Sequence, residues 1–145
     1  MGGRDSRFAM RHESEAGLLG VVFTPAGAMT GAPYRVVDGA HWVFSGTGLK
    51  TGAVFGQASL HGRCPGGASG HETDKISAHS PAQVQLLARG MNPDDGGADM
   101  VIFETAAGGA VFSVGSINYV ASLPVDGAVS RITANVLQRF LATPR

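Results

Sequence analysis

The sequence predicts a single α/β domain in which short apolar strands form a sheet and an amphipathic helix covers it. Three observations carry this. The apolar runs through the first 114 residues are short and closed by Gly, Pro, Asp or Asn, which suits buried strands rather than helices. The segment 127–142 carries a helical period, with Val129, Ile132, Val136 and Phe140 on one stripe and Leu137 and Leu141 beside it. At 145 residues the chain is long enough for one domain with a sizeable core, hiding roughly 68–70% of the unfolded surface. Strands followed by a covering helix imply layered packing.

Taken in order, residues 1–16 are polar, mixed in charge and without a sustained period, and no fixed fold is expected of them. The ordered region 17–145 opens on the apolar run 18–23, a strand closed by Pro25 and Gly27. Tyr34-Arg35-Val36-Val37 and His41-Trp42-Val43-Phe44 flank Asp38-Gly39, the signal of a hairpin. Ala53-Val54-Phe55 adds a third piece. Residues 61–72 form a glycine-rich loop. Residues 81–88 are ambiguous, and the alternation of Gln83 and Gln85 with Val84 and Leu86 favours a strand. Residues 91–97 are a loop, 99–104 a buried strand with polar ends, 106–109 a tight turn and 110–114 another strand. Ser116 is placed to cap a helix starting at Ile117, and Asp126 or Ser130 to cap the long helix, which Pro144 stops. The chain contains no internal repeat.

Composition excludes several classes. Lys+Arg and Asp+Glu are 11 each, so the basic excess expected of a nucleic-acid-binding domain is missing. No window reaches the roughly 20 apolar residues of a membrane span, and no secretory signal is visible. The start fits the loose myristoylation pattern, which is too short to weigh. A single cysteine excludes a disulfide scaffold and makes a reducing cytoplasm the expected compartment. Glycine is 22 of 145, about twice the usual share, and charged residues are only 15%. Such a chain is turn-rich and densely packed, or part of something larger with buried faces.

Three blocks in order then carry a resemblance. They are the glycine-rich Gly66-Gly67-Ala68-Ser69-Gly70-His71-Glu72-Thr73-Asp74; then Asp99-Met100-Val101-Ile102-Phe103-Glu104-Thr105 with Gly108-Gly109-Ala110-Val111-Phe112-Ser113 and Gly115-Ser116-Ile117; then Val129-Ser130-Arg131-Ile132-Thr133 with Asn135-Val136-Leu137 and Arg139-Phe140-Leu141. Together with Gly20-Val21-Val22-Phe23-Thr24 they resemble the C-terminal end of the large (β) subunit of the N,N-dimethylformamidase family, over about residues 16–142. The resemblance implies an amidohydrolase acting on small amides. It implies a mononuclear non-haem iron held by two tyrosines and a glutamate that lie upstream, so no metal ligand is expected in this chain. It also implies the C-terminal portion of a three-layer sandwich like that of class I glutamine amidotransferases. Its partners would be the upstream portion or other subunits, in an oligomer. The alternatives are a non-catalytic structural remnant that assembles with another chain and, on the glycine loop alone, a small binding module.

Glu72 is the leading catalytic candidate. Glycines before it let backbone approach a ligand closely, and a carboxylate there can move a proton or orient a water. It can equally cap a turn or pair with Lys75 or Arg63. His71 is a second candidate, although on extended backbone it would point away from Glu72. His71, Glu72 and Asp74 are not a zinc signature, because HExxH needs a histidine where Lys75 stands. Glu104, ending a strand, would sit where open α/β sheets gather ligands, or cap the following turn. Cys64 precedes Pro65, which suits no nucleophile elbow, and reads as an incidental thiol. The loop 66–70 lacks the lysine of a phosphate-binding loop.

Overall fold

The computed structural model describes residues 12–142. Its elements are α1 (Ala16–Leu19), β1 (Val22–Thr24), β2 (Gly31–Ala32), β3 (Tyr34–Val36), a 3-10 turn (Trp42–Phe44), β4 (Val54–Phe55), β5 (Ser69–Gly70), β6 (Thr73–Lys75), β7 (Gln85–Gly90), β8 (Asp99–Glu104), β9 (Ala110–Ser113), α2 (Asn118–Ser122) and α3 (Gly127–Leu141). The central sheet runs β4-β3-β7-β8-β9, and every neighbouring pair is antiparallel. Two short antiparallel ribbons, β1-β6 and β2-β5, stand beside it.

Strand β8 sets the layering. Met100 and Ile102 join the main core with Leu87 of β7, Tyr34 and Val36 of β3, and Val129, Ile132 and Val136 of α3. Val101 and Phe103 alternate to the other face, where the backbone of Gly20 closes on them; a methyl group at Gly20 would stand 3.1 Å from Val101 and 3.0 Å from Phe103. Both faces are therefore covered, which is why β8 reads as an unbroken apolar run. Asp99, 2% exposed, begins the strand by accepting from the Ile76 N–H at 3.0 Å and from Arg89 Nε at 2.9 Å.

The long helix forms as its period predicts. Asp126 caps it, its Oδ1 accepting from the Ala128 and Val129 amides, both at 3.1 Å. Its last turn corrects the stripe. Val129, Ile132 and Val136 are buried, but Phe140 is 43% and Leu141 80% exposed, and Leu137 is exposed as well.

Other expectations are corrected by tertiary contacts. Part of the run 18–23 is helical: α1 ends at Leu19, Gly20 closes it in left-handed conformation, and only Val22–Thr24 is strand. The hairpin around Asp38-Gly39 does not form. Strand β3 pairs with β4 and β7 instead. Residues 42–44 coil into a 3-10 turn that buries Val43 and Phe44 under α3, where Asn135 Nδ2 donates to the Val43 and Ser45 carbonyls at 2.9 and 2.8 Å. Ser116 does not cap α2; its hydroxyl is used elsewhere, as described below. The reading of residues 1–16 falls mostly on residues outside those described. Among the described residues no helix is long and apolar enough to cross a membrane.

Candidate functional site

The loop 61–72 is the most elaborately held part of the molecule. Its backbone lies against the segment 30–33 at a distance that only glycine permits. A methyl group at Gly70 would stand 2.0 Å from the Thr30 carbonyl oxygen, and the backbone there has φ +156°. Side chains from two distant segments, Asn92 and Ser116 with Asn118, tie the loop down. Ser116 Oγ accepts from the Gly70 amide at 2.8 Å and lies 2.9 Å from the Ala68 carbonyl. Asn118 Nδ2 donates to the Cys64 carbonyl at 2.7 Å and to that of Gly67 at 3.1 Å. Ser69 Oγ donates to Asn92 Oδ1 at 2.7 Å and accepts from the Ala98 amide at 3.0 Å. Asn92 Nδ2 in turn donates to Thr30 Oγ1 and to the Ser69 carbonyl. Ser69, Asn92 and Asn118 are buried, so each of these bonds is costly to leave unmade.

This clamp places three side chains together. His71 sits at φ +65° and turns back into the loop, its amide donating to the Thr30 carbonyl at 3.0 Å. Its Nδ1 is 3.0 Å from His61 Nε2, with the two rings edge to face. His61 Nδ1 accepts from the Cys64 amide at 3.2 Å. Cys64 is a free cysteine, 1% exposed. The donor atoms of His61, Cys64 and His71 all lie within 4.8 Å of one another. In the sequence these residues stand apart, Cys64 as an incidental thiol and His71 as a neighbour of Glu72. The spacing His61-x2-Cys64-x6-His71 across a glycine loop is the signal that links them.

The other candidates lie elsewhere. Glu72 is exposed. Asp74, two residues on, has its carboxyl pushed above the usual range, first by burial and then by the charges of Glu72 and Glu15. Glu72 and Asp74 therefore share a field, while His71 faces His61. Glu104 is exposed at the far end of β8. Asp99, at the near end, adjoins Gly115, whose carbonyl accepts from the Asp74 amide at 2.9 Å. Five residues at about 3.3 Å each put the two ends of β8 roughly 16 Å apart. The sheet is antiparallel, so strand carboxyl ends alternate between its two edges and the placement argument for Glu104 fails. Glu104 instead lines an open groove of about 720 Å³ with His41, Trp42, Gln85, Arg139 and Phe140. The Arg139 guanidinium lies 5.7 Å from the centre of the Trp42 ring. Burial holds His41 below its ordinary range, opposed by Asp38.

The two tyrosines belong to the core. Tyr34 donates its hydroxyl to the Val114 carbonyl at 2.6 Å and stacks on Phe55. Tyr119 shares a hydrogen bond with Thr133 Oγ1 at 3.0 Å. Burial pushes both phenols up, Tyr119 to about 12 and Tyr34 well above its ordinary value.

Comparison with known proteins matches residues 3–133 to the C-terminal, N,N-dimethylformamidase beta subunit-like family. Two relatives are similar. The N,N-dimethylformamidase beta subunit of Paracoccus aminophilus is 34% identical over 130 residues, covering 70% of this chain and 16% of that protein. The corresponding subunit of an Alcaligenes species is 29% identical over 153 residues, covering 86% of this chain and 19% of that protein. The chain thus spans less than a fifth of the curated relatives it matches. It belongs to the N,N-dimethylformamidase beta subunit-like C-terminal family.

Proposed function

We propose, with that membership as the premise, that this chain supplies the C-terminal part of an amidohydrolase that cleaves small amides of the formamide type. The family match across residues 3–133 is the observation that carries the reading. Glu72 is exposed at the end of the clamped loop, and in this reading its carboxylate meets a substrate pocket completed by further sequence. There it takes the proton of an attacking water and returns it to the amine leaving group. His71 acts as a positioning residue that fixes the loop from behind.

Iron held by two phenolates and a glutamate, expected of the complete enzyme, does not fit Tyr34 and Tyr119. Both hydroxyls are spent on core hydrogen bonds, and burial disfavours the phenolate a metal ligand must be. This supports the reading in which the iron of the complete enzyme is held by sequence outside this chain. Helix α3 packed on one face of the sheet is in keeping with a layered α/β sandwich, whereas the all-antiparallel strand order departs from the parallel sheet of the amidotransferase-like reading. The exposed Leu60, Val120, Leu137 and Leu141 support cover by the upstream portion or other subunits.

The test is a chimera in which this chain replaces the matched C-terminal segment of the Paracoccus aminophilus subunit. Dimethylamine release from N,N-dimethylformamide is the result expected. A chimera that assembles and takes up iron yet releases no amine contradicts catalysis and favours the structural remnant.

A further inference from the structure

The geometry points to a metal site at His61, Cys64 and His71 that takes a borderline-soft divalent ion, with zinc as its natural occupant. The site needs no iron, and the loop geometry carries it whether or not the chain takes part in amide hydrolysis.

The two imidazole nitrogens 3.0 Å apart carry lone pairs that must share either one proton or one cation. With a proton, the Cys64 amide donating to His61 Nδ1 puts the His61 hydrogen on Nε2, from which it is donated to His71 Nδ1. That network brings a buried thiol into the same 4.8 Å cluster, although a thiol adds little to a histidine pair. A cation uses all three groups. It takes the place of the shared proton, the His61 hydrogen moves to Nδ1, and the 3.2 Å contact to the Cys64 amide is given up. The Cys64 thiol loses its proton to solvent, and the thiolate supplies one negative charge. One proton is released per ion bound.

Two imidazoles and a thiolate select zinc or another late first-row ion over magnesium or calcium, which want oxygen. Three protein donors leave a fourth position for water, the arrangement of open zinc sites. The loop that carries the ligands is already fixed by Ser116, Asn118 and the Ser69–Asn92 pair, so ordering it costs little at the moment of binding.

The test uses Co²⁺ as the probe on the full chain. Its sole cysteine is Cys64, so a thiolate-to-cobalt charge-transfer band reports this site and nothing else. The expected result is that band, with tetrahedral d–d bands, saturating at one Co²⁺ per chain and displaced by Zn²⁺ but not by Mg²⁺. The charge-transfer band disappears in Cys64→Ser. His61→Ala and His71→Ala weaken binding by more than about 100-fold, beyond the 10–100-fold typical of an outer partner. A folded wild-type chain that gives no charge-transfer band overturns the site whether or not any variant folds. So does binding without that band, or a band that Mg²⁺ abolishes.

Discussion

The loop 61–72 and the groove beside Glu104 are built on different principles, although both gather charged and aromatic side chains. In the loop, Asn118, Ser116, Ser69 and Asn92 reach across at least 23 positions of sequence to hold backbone in place. At the groove, Arg139 and Trp42 stack loosely, and Phe140 stands partly out in solvent. A preset backbone suits a site that must hold a small reactant or ion without reorganising. An open groove with apolar residues around it suits contact with another protein surface.

The comparison breaks most visibly at Gly70. Its methylated form, Gly70→Ala, collides with the Thr30 carbonyl in a backbone conformation that other residues avoid, and we expect a loss of about 4 kcal/mol or more in chemical denaturation. A change of pH sharpens it next. Tyr119 holds its proton to about 12 when folded, against an ordinary value near 10. The stabilisation is whole below pH 10 and drains away as pH rises toward 12, about 3 kcal/mol in all; Tyr34 acts in the same direction. Thermal melts from pH 9 to 12 should show that decline, and Tyr119→Phe should flatten it. Asn118→Ala strands the Cys64 and Gly67 carbonyls and should cost about 1–3 kcal/mol, with amide exchange quickening in the loop and little changed at the groove. Asp126→Ala removes the α3 cap and should cost about 1 kcal/mol.

Much of the scaffold was legible because it rests on local signals. The period of Val129, Ile132 and Val136 marked α3, Asp126 marked its start, and the apolar run from Met100 to Phe103 marked β8. Expectation and structure part where a distant contact outweighs local preference. Val43 and Phe44 look like strand but are drawn under α3 as a 3-10 turn, and Phe140 keeps the helical period but turns outward at the last turn. The loop was visible as a glycine-rich segment beginning at His61 and ending at Glu72. Its content was not, because the hydrogen bonds that shape it come from Asn92, Ser116 and Asn118, and no spacing rule links these to Cys64 or Gly70. The turn of His71 toward His61 depends on a positive φ at a histidine, which sequence alone does not announce.

Under the proposed function, the comparison reduces to which acidic residue would carry the chemistry. In the chimera, kcat for N,N-dimethylformamide decides between Glu72 and Glu104. Glu72→Gln should lower it by at least about 100-fold, the lower range for a general acid–base group, while Glu104→Gln leaves it unchanged and iron content holds in both. Full turnover in Glu72→Gln, or loss in Glu104→Gln alone, would contradict the account.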